Sequence, residues 1–151
     1  MYILIGAAVL LLDFITKMLV IGNMQLGEKI RIIDGVFSLT YIRNKGMAWG
    51  LLQNQRWIFI IATVIIVTLM LIYILKNKNA HFTGKLGITL SVAGAFGNLI
   101  DRLFYEDGVI DFLCADFIDF PIFNVADMSV CIGMGILVIY IMFFEQNKKE
   151  S

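Results

Sequence analysis

Four long apolar runs divide the chain. They occupy about residues 2–22, 57–75, 84–104 and 126–144, and the second holds nineteen residues without a charge. At ~1.5 Å of rise per residue, nineteen residues span ~28 Å, close to the ~30 Å hydrocarbon core of a bilayer. The pattern predicts an all-α membrane protein whose four spanning helices form one domain over residues 1–151.

A different pattern separates the first two runs. Lys29–Ile33 and Val36–Ile42 are rich in β-branched and aromatic residues, and Asp34-Gly35 between them is a strong hairpin signal. Within the second segment, apolar residues alternate with Ser38 and Thr40, as in a half-buried strand. We therefore expect a small β-element at about residues 28–50, resting on the membrane. Residues 105–124 are interpreted as a short outer segment.

Composition supports a lipid environment. The chain is 60% hydrophobic and 16% charged, with a mean hydropathy of +0.86. Twelve basic and twelve acidic residues give no net charge, which argues against a nucleic-acid partner. The single histidine, His81, lies in a lysine-bearing loop, so His-rich metal sites are excluded. Cys114 and Cys131 lack metal-ligand spacing and are interpreted as packing residues.

The orientation in the membrane follows only partly from charge. Four spans place both termini on one side, together with the loop 76–85 and the tail containing Lys148 and Lys149. Five basic residues there suggest the cytoplasm, but the opposite side also holds five. The first run could also be a cleaved signal peptide, although it has no basic n-region and no A-x-A-like site follows it.

Ionisable residues inside spans are candidates for function, because each costs roughly 2.5–3.5 kcal/mol or more. These residues are Asp13, Lys17, Asp101, Arg102 and Asp127. In the third run, five small or polar residues follow one another at intervals of 4, 3, 4 and 3 positions, which places them on one face of a helix. This face consists of Gly87, Ser91, Gly94, Asn98 and Asp101. Small residues there allow close helix approach. The alternative is ordinary helix packing with Arg102 reaching to the interface.

Two acidic residues stand out in the region from Tyr105 to Asp127. This region holds six of the twelve acids, but only Asp111 and Asp127 have clearly apolar flanks. The alternative is a solvated acidic loop. Two carboxylates held together where water meets lipid share a proton, so that one activates water and the other polarises a carbonyl. That is the chemistry of an aspartic peptidase, and it needs no metal or other cofactor.

At this point the chain resembles bacterial lipoprotein signal peptidases (signal peptidase II). Five motifs carry the resemblance, in order: Asp13–Lys17 (DFITK), Asn44–Gly50 (NKGMAWG), Gly94–Arg102 (GAFGNLIDR), Gly108–Phe112 (GVIDF) and Phe123–Asp127 (FNVAD). The resemblance implies a four-helix bundle with an extracytoplasmic β-cradle in the bacterial cytoplasmic membrane. It also implies cleavage of diacylglyceryl-modified prolipoproteins just before the lipidated cysteine, and inhibition by globomycin. Prolipoproteins and membrane lipids are the expected partners, and a monomer is expected.

The resemblance also implies roles for individual residues. Asp111 and Asp127 match the catalytic aspartates. Residues that match the polar lining of the site are Asn44, Gly46, Asn98, Arg102 and Asn124. Asp13 matches a first-helix acid of supporting role. Ala95 and Trp49-Gly50 depart slightly from the usual motifs.

Two questions remain open from the sequence. Phe117–Phe120 (FIDF) echoes Val109–Phe112 (VIDF), so Asp119 rivals Asp111 for the first catalytic position. Asp111 is favoured because it follows Gly108. The rival functions are a proton-coupled transporter and a non-catalytic assembly subunit. The clustering of charges at one boundary and the absence of a repeat argue against the first, and the concentrated acids and asparagines against the second.

Overall fold

The structure is a computed structural model that describes residues 1–46, 52–77 and 80–145. Its elements in chain order are α1 (Tyr2–Asn23), β1 (Lys29–Ile33), β2 (Phe37–Asn44), α2 (Arg56–Lys76), α3 (Phe82–Phe104), β3 (Val109–Ala115) and α4 (Val125–Tyr140), which continues as a π-helical turn (Ile141–Glu145). The residues of the second motif from Met47 to Gly50, and the tail lysines Lys148 and Lys149, lie outside the described ranges.

Three of the four described helices are long and apolar enough to cross a membrane. These segments are Tyr2–Asn23, Arg56–Lys76 and Val125–Phe143. The fourth helix, α3, has 23 residues but is less apolar, because it carries glycine, serine, threonine and charged side chains. It contacts α1, α2 and α4, so much of its surface meets protein rather than the surroundings. A helix enclosed in this way does not need the uniformly apolar surface of the other three.

Small residues bring α3 and α4 into close contact. A Cβ atom added to Gly87 would lie 2.8 Å from the carbonyl oxygen of Gly133, and one added to Gly94 would run into the carbonyl oxygen of Ala126. Ser91 lies between these two glycines on α3 and is buried. The small-residue face predicted for the third run is confirmed, and its partner is α4.

The β-element is a three-stranded antiparallel sheet in the order β1-β2-β3. The hairpin predicted at Asp34-Gly35 is confirmed, with Gly35 at a φ of +71°. Strand β3 lies within the segment 105–124, where the sequence had predicted no strand. Strand β3 is buried on both faces at its start, so it shows no alternation of apolar and polar residues that would have revealed a half-buried strand.

The side-chain alternation predicted for β2 is also wrong in part. Ser38 is fully buried, and Tyr41, three positions later, is also buried. The pairing of β2 with β3 is irregular between Leu39 and Ile42, and such an irregularity shifts which residues face the core. Ser38 is satisfied there by a hydrogen bond of 3.1 Å from its hydroxyl to the carboxylate of Asp116.

An apolar cluster joins the sheet to the end of α1. Val20 and Met24 pack there with Tyr41 of β2 and with Ile110 and Phe112 of β3. Ile110 has no exposed surface at all. Because these two β3 residues flank Asp111, the cluster fixes that aspartate at one end of the helix bundle.

Candidate active site

Asp111 and Asp127 are held by the same pair of asparagines. Asp111 is 2% exposed on β3, and Asp127 lies in the first turn of α4. Asn124 Nδ2 donates to Asp111 Oδ1 at 2.7 Å, and Asn98 Nδ2 donates to Asp127 Oδ1 at 2.7 Å. The two amides are themselves joined, since Asn124 Nδ2 also lies 3.0 Å from Asn98 Oδ1. The aspartates from two distant motifs therefore form one hydrogen-bonded unit.

Asn124 orders the start of α4 as well. Its Oδ1 accepts from the Asp127 backbone N–H at 2.9 Å, and Asp127 Oδ2 accepts from the Asn124 backbone N–H at 3.1 Å. This reciprocal capping box satisfies two backbone donors that a helix N-terminus otherwise leaves free. It also fixes the carboxylate of Asp127, so one fully buried residue positions both aspartates.

Asn44, at the end of β2, holds the other oxygen of Asp111. Its Nδ2 donates to Asp111 Oδ2 at 2.9 Å, and its Oδ1 accepts from the Gly46 backbone N–H at 3.0 Å. The chain segments around Asn44 and Gly108 can approach this closely because residue 108 is glycine. Its φ is +104°, and a Cβ atom added there would collide with the Asn44 carbonyl. Gly46 and Gly108 thus have definite local roles in orienting Asn44.

A buried ion cluster lies behind the asparagines. Lys17 Nζ is 2.7 Å from Asp13 Oδ2, 2.8 Å from Asp101 Oδ2 and 3.1 Å from Asn98 Oδ1. The sequence placed Asn98 and Asp101 on one face of the third run but did not connect Lys17 with either of them. The spacing of Asp13 and Lys17, which lie four residues apart on one helix face, is the sequence signal that could have predicted their ion pair.

Arg102 occupies the side of the site near α2. Its guanidinium lies 5.0 Å from the ring centre of Phe59 and donates weakly, at 3.4 Å, to the Asn98 carbonyl. Arg56, at the start of α2, donates to the backbone carbonyls of Arg102 and Leu103. These contacts hold a cation close to the two aspartates.

A cavity of about 570 Å³ opens onto this unit. Its polar lining includes Asp111, Asp127, Asn44, Asn98 and Arg102. The remaining lining is largely apolar and comes mainly from α2, α3, α4 and the segment before α4. Cys131, interpreted from the sequence as a packing residue, is exposed and lines this cavity. The cavity therefore combines a polar corner with largely apolar walls, as ligand-binding cavities commonly do.

Other residues considered from the sequence lie elsewhere. Asp119 is exposed in the turn after β3 and does not line the cavity, whereas Asp111 does. His81 caps the N-terminus of α3, at the end remote from Asn98, by accepting from the Thr83 backbone N–H. Asp13 does not line the large cavity, but its Oδ1 accepts from the Ala126 backbone N–H at 2.9 Å, next to Asp127.

The surroundings of Asp111 favour its protonated form. Burial, and then the negative charge of Asp127, raise the pKa of Asp111 to about 7, despite the hydrogen bonds from Asn44 and Asn124. At neutral pH the pair can therefore hold a single proton between two carboxyl groups. Such a pair can take a proton from water and give one to a carbonyl oxygen.

The chain is similar to known proteins over nearly its whole length. The model of the family described as signal peptidase (SPase) II matches residues 5–143. A lipoprotein signal peptidase of Geobacillus kaustophilus (strain HTA426) is 43% identical, covering 99% of this chain and 98% of that protein. One of Clostridioides difficile (strain 630) is 42% identical, covering 99% of each.

The fold is similar to that of a bacterial membrane enzyme whose structure was solved by the in meso method at 2.3 Å resolution. The TM-score is 0.91 at 35% identity, covering 99% of this chain and 92% of that one. A second such structure, at 1.9 Å resolution, gives a TM-score of 0.86 at 34% identity, covering 95% and 93%. With the family model matching 139 residues from 5 to 143 and relatives above 40% identity, this integral membrane chain belongs to the signal peptidase II family.

Proposed function

We propose that this protein is an aspartic endopeptidase that removes the signal peptide from diacylglyceryl-modified prolipoproteins, cutting just before the lipidated cysteine. The observation that carries the proposal is the joint hold of Asn98 and Asn124 on Asp111 and Asp127 at the wall of one cavity. The names of the relatives support the substrate class, because they are lipoprotein signal peptidases.

The proposed reaction uses the pair as one acid and one base. The ionised carboxylate takes a proton from water, and the resulting hydroxide attacks the scissile carbonyl carbon. The protonated carboxyl donates its proton to the carbonyl oxygen, which stabilises the tetrahedral intermediate. When the C–N bond breaks, the leaving amine receives a proton from the pair, and a hydroxyl group of the intermediate returns its proton to the pair as the carboxylic acid forms. Asn44, Asn98 and Asn124 keep the carboxyl groups in place throughout, so little reorganisation is needed.

The proposed membrane arrangement has four spanning helices, with α3 as the fourth. Support comes from its length of 23 residues and from its position against the other three helices. The site then lies at the extracytoplasmic end of the bundle, and both termini lie in the cytoplasm. A monomer suffices, since one chain supplies every residue of the proposed site. Globomycin-type peptides, which the family resemblance implies as inhibitors, would compete for the same cavity.

The purified protein is expected to cleave a diacylglyceryl-modified prolipoprotein peptide without any added metal. The pair supplies both acid and base, so a chelator should leave the rate unchanged. A fluorogenic lipopeptide in detergent micelles, assayed with and without a chelator, measures this. The same peptide without its lipid is the control and should be cut much more slowly. Loss of activity in the chelator, restored by a divalent metal, would contradict the aspartic mechanism.

Activity is expected to fall as the pH rises through about 7. Because the pKa of Asp111 is raised to about 7, the shared proton is present below that pH and is lost above it. The form with both carboxyl groups ionised has no acid to give to the carbonyl oxygen. Measuring kcat/KM from about pH 5 to about pH 9 locates the pH at which activity falls. A rate that stays constant or rises across neutral pH would refute it, and Asp119→Asn should leave the profile unchanged.

A further inference from the structure

Lys17 is the most deeply buried cation described in the structure. It is 1% exposed, although lysine is rarely buried without partners. Its ammonium group has three protons, and three oxygen acceptors lie within 3.1 Å, on Asp13, Asp101 and Asn98. Every donor of this group is therefore used inside the protein, and none is left to contact a substrate.

Each of the three acceptors leads directly to the aspartate pair. Asp13 also accepts from the backbone N–H of Ala126, the residue before Asp127. Asp101 Oδ2 also accepts, at 3.2 Å, from the backbone N–H of Ile110, the residue before Asp111. One ammonium group thus connects the backbones that carry the two aspartates, one on α4 and the other on β3.

The third acceptor decides which way the Asn98 amide points. Asn98 Oδ1 accepts from both Lys17 Nζ and Asn124 Nδ2. If the amide were flipped, its own N–H groups would face two donors, so this orientation is excluded. With the oxygen towards Lys17, Nδ2 must point to Asp127, to which it donates.

The ion cluster is packed closely against α3. A Cβ atom added to Gly97 would lie 2.6 Å from Asp13 Oδ2, so α3 has a glycine where Asp13 approaches. Asp13 and Asp101 are 3% and 5% exposed, and removing Lys17 would leave two buried carboxylates without their cation.

We propose that Lys17 is a positioning residue, which sets the separation of Asp111 and Asp127 and the direction of the Asn98 donor without touching the substrate. This inference rests on the proposed function, because it concerns the geometry of the same reaction. Displacement of reacting groups by about 1 Å costs about 100-fold in rate. Loss of Lys17 should therefore lower kcat by about that factor and leave KM nearly unchanged.

The experiment compares wild-type protein with Lys17→Met and with the charge-balanced variant Lys17→Met/Asp101→Asn. The second variant removes one charge of each sign, which keeps a folded protein available if Lys17→Met does not fold. The control is Lys29→Met, which removes an ion pair of 2.6 Å to Asp116 on the sheet, away from the aspartate pair. We expect kcat to fall about 100-fold in both Lys17 variants and to stay at the wild-type value in the control.

Two further readouts separate positioning from stability alone. The charge of Lys17 lowers the pKa of Asp111, so in Lys17→Met the fall in activity at high pH should move to higher pH. If Lys17 acts through Asn98, the double variant Lys17→Met/Asn98→Ala should be no slower than Asn98→Ala.

The outcomes distinguish the inference from the proposed function. A folded Lys17→Met protein with wild-type kcat and an unmoved pH profile would overturn the inference alone. Effects of Lys17→Met and Asn98→Ala that multiply would overturn the part of it in which Lys17 acts through Asn98. Wild-type protein that does not cleave the lipopeptide would contradict the proposed function and the inference together.

Discussion

Asp111→Asn and Asp127→Asn are each expected to lower kcat by about 10³–10⁴-fold, because each removes an acid or base from a two-carboxyl reaction. Asparagine has nearly the same shape as aspartate and keeps one of the two acceptor oxygens, so each variant loses only one of the two hydrogen bonds that hold the side chain. The variants should therefore fold and bind the lipopeptide with near wild-type KM. Initial rates in micelles, together with thermal unfolding of the same preparations, measure both effects.

Asp119→Asn is the matched control for this prediction. Asp119 lies in a repeat of the VIDF sequence but is exposed and outside the cavity, so its variant should be fully active. Retention of activity in either Asp111→Asn or Asp127→Asn would remove that residue from the proposed pair. Loss of activity in Asp119→Asn alone would identify the second repeat as the catalytic one.

Asn124→Ala is expected to lower kcat by about 10³-fold, since it removes a preorganised donor from the site. It should also destabilise the protein by about 1 kcal/mol through loss of the α4 cap. Asn124 Nδ2 contacts Asp111 at 2.7 Å, while its Oδ1 caps α4 at Asp127, so one truncation releases both aspartates. Steady-state rates and unfolding midpoints report the two losses separately.

Asn124→Asp separates the two roles of this residue. Aspartate caps a helix as well as asparagine does, so stability should be largely retained. An ionised carboxylate has no N–H to donate, however, and it adds a further negative charge beside the aspartate pair. This variant should be as inactive as Asn124→Ala. High activity in Asn124→Asp would show that capping, and not the donor to Asp111, is what the reaction requires.

Much of the fold could be predicted from the sequence because its signals are local. The apolar runs gave the four helices to within a few residues, and Asp34-Gly35 gave the hairpin turn. Strand β3 was missed because its burial depends on β2 and on the end of α1, which no local pattern reports. The irregular pairing at Leu39 and Ile42 had no sequence signal either.

The residues of the candidate site could be predicted from the sequence, but the hydrogen bonds that connect them could not. Apolar flanks and motif order singled out Asp111 and Asp127, and the resemblance added the asparagines. Which amide holds which carboxylate depends on the meeting of β2, β3, α3 and α4. The proposed role of Lys17 could not be predicted either, because it depends on a contact with Asn98, which lies 81 residues away in the chain.

The connection between Asp13 and the start of α4 has a consequence for synthesis of the protein. The two partners are 113 residues apart, and α4, which carries Asp127, follows the other described helices in the chain. A partly made chain that stops before residue 124 holds Asp111 but has neither the second carboxyl group nor the Asn124 cap. Under the proposed mechanism such a nascent chain is inert, and cleavage begins only when α1 and α4 meet.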